Sequence, residues 1–191
     1  MSSPNVQLTS LRAEHRAQFI ADLQSAFQTA AEVEFGPLDS LVLPLADIEE
    51  SLHATGAIAY EALVEGKMVG GAVVNINPDT QRNHLDFLYV RSDVHSKGIG
   101  QSIWRAIEQL HPHTRVWETF TPYFDRRNLH FYINRCGFHV VEFYNASHPH
   151  TPLRNEELPE SLTDYFRDFF RFEKYMTPAP KQQTNTNKQT I

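Results

Sequence analysis

Apolar positions along this chain change their spacing repeatedly, and each change marks an element. From Val6 to Leu11 they alternate with polar residues, as on a half-buried strand, and from Glu14 to Phe27 they recur at Phe19, Ile20, Leu23 and Phe27, one helical face. Residues 28 to 44, with Gly36, Pro37 and Pro44, read as a loop into a short helix over Leu45 to Ala54 that stops before Gly56. Ala57 to Leu63 and Met68 to Ile76 are β-rich and meet across Glu65-Gly66, a hairpin signal. The turn Asn77-Pro78-Asp79-Thr80 precedes a strand over His84 to Val90. Ile99, Ile103, Ala106, Ile107 and Leu110 then form one stripe at helical period. Arg115 to Thr121 reads as a strand, Tyr123 to Cys136 as a helix closed by Gly137, and Phe138 to Tyr144 and Phe169 to Tyr175 as strands. Residues 145 to 164 lack periodicity and read as a connection.

The order βααβββαβαββ predicts an α/β fold with a mixed central sheet of about seven strands and flanking helices. Hairpins supply the antiparallel pairs. The segments from 84 to 121 make a strand, helix and strand with a right-handed crossover.

The run from Tyr89 to Gln101 carries the clearest chemistry. It joins a strand to a helix through Gly98 and Gly100, and the first N–H groups of a helix lack partners and form its positive end. A diphosphate can approach them there, with Lys97 and His95 adding charge and a donor. The other reading is a plain tight turn. Two phosphate motifs fit poorly. Lys97 precedes Gly98, the reverse of a nucleotide-hydrolase loop, and Ile103 stands where a dinucleotide fingerprint needs its third glycine.

The 191 residues suit one domain over 1–176, followed by a polar tail over 177–191 too poor in apolar residues to fold. With 41% hydrophobic, 12% aromatic and 21% charged residues, the rest is ordinary for a soluble enzyme, and no apolar run is long enough to cross a bilayer. The start carries no signal pattern, so the expected location is cytoplasmic, with no membrane partner. A net charge of −6 argues against nucleic acid and leaves room for a cationic amine. A lone cysteine, Cys136, excludes an internal disulfide and reads as a small buried residue, not an acyl carrier. His111-Pro112-His113 and His148-Pro149-His150 read as exposed loop histidines, with no metal expected, because proline prevents regular presentation of either pair.

Val90 leading into His95-Ser96-Lys97-Gly98-Ile99-Gly100, and the later run Phe131-Tyr132-Ile133-Asn134-Arg135-Cys136-Gly137-Phe138, together resemble the GNAT superfamily of N-acetyltransferases. The resemblance covers both motifs and agrees with the element order from about residue 6 to 175. It implies acetyl-CoA as cosubstrate. Its pyrophosphate would lie on Lys97, Gly98, Ile99, Gly100 and Gln101, and its pantetheine along the main chain of Leu88 and Val90. His95 stands where the family has Arg or Gln. Tyr132 matches the family's general acid, a role that suits a phenol protonated at neutral pH. Asp125 and Asn128 lie two turns and one turn before it, with Asp125 where a cofactor-contacting Asn is usual.

The attacking amine also needs a base. His84 and Asp86 share a strand face at period two and are candidates, Glu118 is a third, and a surface pair is the other reading of the first two. The acceptor is a small-molecule or peptide amine. The family shapes its site from segments that here span 28–44 and 145–168, whose Glu32, Glu34, Glu156 and Glu157 hint at a cation. A homodimer is a further family expectation. The rival readings are a non-catalytic acyl-CoA-binding sensor or partner module, and transfer of a longer acyl group or to a hydroxyl.

Overall fold

The computed structural model describes residues 5–94, 98–149 and 168–176. The polar tail, His95, Lys97, Glu156 and Glu157 lie outside these residues. Seven strands form one sheet in the order β1-β2-β3-β4-β5-β7-β6, with β1 Gln7–Ser10, β2 Ala57–Val64, β3 Lys67–Asn75, β4 Arg82–Val90, β5 Val116–Pro122, β6 His139–Tyr144 and β7 Phe169–Tyr175. Every pairing is antiparallel except β4 with β5, which the helix α3, Ile99–Leu110, links as a crossover.

Helices α1, Arg16–Phe35, and α2, Leu45–His53, stand on one face of the sheet. Phe19, Ile20, Leu23 and Ile48 pack there with Val73 and Tyr89 of the sheet. On the other face α3 and α4, Arg126–His130, close the larger core, in which Ile99, Ile103, Trp104 and Ile107 meet Leu85, Trp117, Phe138 and Phe172. A strand hydrophobic toward both layers explains why β3 reads as an almost unbroken apolar run.

Three expectations need correction. Residues 28 to 35 continue α1, because helix formers such as Ala30, Ala31 and Glu32 run unbroken to Gly36, although Val33 at 82% exposure gives no periodic signal. In α3 the buried stripe turns toward Trp104 and leaves Leu110 half exposed. The predicted helix over Tyr123 to Cys136 is a short α-helix continued by a wide π turn, Phe131–Cys136. Its extra residue rotates Ile133 outward to 41% exposure while Tyr132 and Cys136 turn inward, so Cys136 and Ile133 share no face.

Candidate active site

The sheet opens into a wedge between β4 and β5. These strands pair only at Arg82–Val116, Asn83–Trp117 and His84–Glu118. Beyond that point β4 stays paired with β3 as far as Val90, and β5 with β7 as far as Pro122. Asp86 marks the departure: Leu85 pairs with Val74 and Phe87 with Val73, leaving Asp86 as the extra residue of a bulge. A bulge bends its strand and sharpens its twist, which carries β4 away from β5. The main-chain edge of β4 from Asp86 to Val90, including Leu88, thus faces no strand among the described residues.

Tyr132 reaches the vertex of this wedge. Its hydroxyl lies near that of Thr119 of β5, which itself donates to the Leu85 carbonyl at 2.9 Å. The rings of Phe131, Phe138 and Phe172 surround Tyr132 at centroid distances of 5.3, 5.5 and 5.8 Å. Burial pushes its phenol well above the ordinary value, and the neighbouring Cys136 adds to the effect. The side chain is therefore a proton donor at neutral pH. Burial likewise pushes the Cys136 thiol up to about 12, so it is no nucleophile.

His84 and Asp86 stay together on the opposite face of β4. The imidazole Nδ1 lies 2.5 Å from Asp86 Oδ1, and Ser51 of α2 donates to Asp86 Oδ2 at 2.9 Å. Phe120 packs on the imidazole at 5.5 Å, tilted by 37°. Imidazole Nε2 is buried with no hydrogen-bond partner among the described residues. Glu118, the third candidate, is held by Arg82 and by Arg171 at 3.3 Å.

At the mouth of the wedge, α3 begins at Gly98, whose φ of 91° is left-handed and suits glycine, and no side chain among the described residues caps the first turn. Gly100 has a different use: a Cβ there would lie 3.3 Å from the Phe131 ring and 3.6 Å from Val90 Cγ2, so its bareness brings α3 against both. Ile99 is buried in the core, and the Gln101 side chain donates to the Arg135 carbonyl at 2.8 Å. Asp125 caps α4 by accepting from the Asn128 N–H at 2.9 Å, a structural task for both residues.

His111 departs from the loop expectation. Its Nε2 lies 2.9 Å from the Tyr60 hydroxyl, its ring packs on Trp117, and burial lowers its pKa. His148 is exposed and pairs with Glu142 at 3.0 Å. Ser51 and Thr119 escaped the sequence reading. Ser51 stands 35 residues from its partner with no motif around it. Thr119 left a trace, a polar residue on the inward face of β5 beside Trp117 and Thr121.

Residues 17–138 match the profile of the acetyltransferase (GNAT) family. The chain belongs to this family. It is 46% identical over 178 residues to YrkN of Bacillus subtilis strain 168, covering 92% of this chain and 96% of that protein. A GNAT family acetyltransferase from Elizabethkingia anophelis with acetyl-CoA bound superposes with a TM-score of 0.64 at 13% identity, over 90% of this chain and 99% of that one. The PaiA N-acetyltransferase of Thermoplasma acidophilum, in complex with coenzyme A, gives 0.59 at 15% identity over 90% and 99%. At such identities these likenesses show the fold alone. Family membership makes the chain an acyltransferase with an acyl-CoA cosubstrate, and GNAT acceptors generally carry amines. No described helix is long and apolar enough to cross a membrane.

Proposed function

We propose that this GNAT acyltransferase moves the acetyl group of acetyl-CoA directly to a primary amine of a small molecule or peptide. The observation that carries this reading is the wedge, with a neutral phenol at its vertex and an unpaired strand edge along one wall. The residues fit the cosubstrate. The bare β4 edge at Leu88 and Val90 offers main-chain groups to an extended pantetheine, and the N–H groups of Ile99, Gly100 and Gln101, uncapped by any side chain among the described residues, face the anionic pyrophosphate. Lys97 and His95 supply charge there in the same reading. Acetyl-CoA brings an activated thioester.

The chain's own residues do the rest. Main-chain N–H groups on the β4 edge polarise the thioester carbonyl, and the wedge walls align it with the amine; positioning and oxyanion stabilisation supply most of the rate. Tyr132 gives its proton to the departing sulfur. Isothermal calorimetry with acetyl-CoA, followed by thiol release against a panel of amines, tests the assignment. We expect micromolar binding and turnover with at least one amine. Gly98→Asp, which strains a left-handed φ and sets a carboxylate against the pyrophosphate, should weaken binding at least tenfold. Unchanged affinity would remove the pyrophosphate assignment, and binding without turnover on any amine would favour a sensor.

A further inference from the structure

We propose that the side chains of Gln101 and Lys174 are positioning residues for Tyr132: they hold the π turn in the phase that keeps the phenol at the vertex of the wedge. This rests on the acetyl-transfer reading. The turn Phe131–Cys136 closes on Tyr132 itself, whose carbonyl accepts the Gly137 N–H and, at 2.9 Å, the Phe138 N–H. Gly137, at φ 78°, then ends the helix, so the carbonyls that follow Tyr132 have no further turn to bond to. Two of them are met from outside. Gln101 donates to the Arg135 carbonyl at 2.8 Å, and Lys174 donates to the Cys136 carbonyl at 2.6 Å.

The two donors come from opposite sides of the opening. Gln101 stands in the first turn of α3, the helix that follows β4, and Lys174 stands on β7, paired with Trp117 of β5. Lys174 is itself aimed: Glu108 of α3 forms an ion pair with it, and its ammonium lies 5.7 Å from the centre of the Trp104 ring. A charged donor makes one of the stronger hydrogen bonds. Such a grip matters because π turns are rare and compete with the α register, which bonds one residue nearer. Relaxing to that register would rotate the segment that carries Tyr132 and shift its hydroxyl from the vertex where Thr119 meets Leu85. Two anchors on consecutive carbonyls, one from each wall, fix the turn's rotation as well as its place. Neither side chain reaches the reacting atoms in this reading; each acts through the turn.

With the best amine of the panel, Lys174→Met should lower kcat of the full chain about tenfold and Gln101→Leu about threefold, the worth of a charged and of a neutral hydrogen bond, while calorimetry finds acetyl-CoA affinity within about twofold of wild type. Gln101 is only half-buried, so its variant keeps the test open even where Lys174→Met fails to fold. A double-mutant cycle separates positioning from mere support. Added to Tyr132→Phe, neither change should lower kcat per folded molecule any further, because the group it aims is gone. Losses that add to that of Tyr132→Phe, losses that appear in acetyl-CoA affinity, or a wild-type kcat in either variant overturn the proposal. Where Tyr132→Phe lowers kcat and one of these results is found, this inference alone falls. If acetyl-CoA does not bind, or no amine turns over, the parent reading falls and takes this one with it.

Discussion

Two carboxylate–histidine pairs lie on the same face of the sheet and have opposite characters. Glu61 is fully buried and saturated: His15 meets it at 2.6 Å, Arg12 at 2.7 Å and Thr9 at 3.1 Å. Asp86 is equally engaged, yet its histidine keeps one nitrogen buried and unsatisfied. The first pair fastens β1 and the following turn to β2. The second sits where two strands part. A buried acid–histidine contact therefore says little by itself; what decides its use is whether every donor and acceptor is already taken.

The sharpest way to break the contrast is His84→Ala. On our reading it lowers kcat by about a thousandfold, within the usual span for a general base, while calorimetry finds acetyl-CoA affinity within twofold of wild type. A loss of similar size in binding would make His84 structural. Tyr132→Phe should cost less, about a hundredfold in kcat, because a thiolate leaves more readily than an ammonium attacks, and binding should again hold. Equal losses in both measurements would return Tyr132 to the core.

Glu61→Gln tests the saturated pair. It should leave kcat per folded molecule unchanged and cost about 2 kcal/mol of stability, seen as a lower midpoint in urea. Burial opposes its ionisation, but His15, Arg12 and Thr9 hold the carboxyl below its ordinary value. The stabilisation is therefore present above about pH 4.5 and lost as pH falls through the lowered folded value. Acid titration of the variant should show a weaker stability loss in that window.

The smallest effect belongs to a third histidine. Burial lowers the His111 pKa, so the unfolded chain takes up its proton first. Its contribution is complete above about pH 6.5 and lost as pH falls through that value toward the lowered folded one. His111→Phe should flatten the stability profile there.

Much of this architecture is written in local periodicity. The element order, the start and end of α3, and the strand over Phe169 to Tyr175 agree with the structure, α3 because it has a helical period and a glycine at its start, the strand because it is dense in aromatic residues. The end of α1 was hidden, since its last turns face water with Val33 and Phe35 as well as with acids. The π turn was hidden because it changes which residues share a face without changing composition. At the site, the period-two spacing of His84 and Asp86 was legible, and so was the place of Tyr132 beside a glycine stop. Ser51 and Thr119 act through contacts that no spacing rule connects to them.

The surplus residue in β4 has a consequence for how such a site arises. Removing Asp86 would restore strict alternation, remove what bends β4 away, and let it zip against β5 along its length. On our reading the candidate opening thus depends on a single codon's worth of length, so a reading frame could gain or lose it in one insertion or deletion while both hydrophobic layers stayed intact.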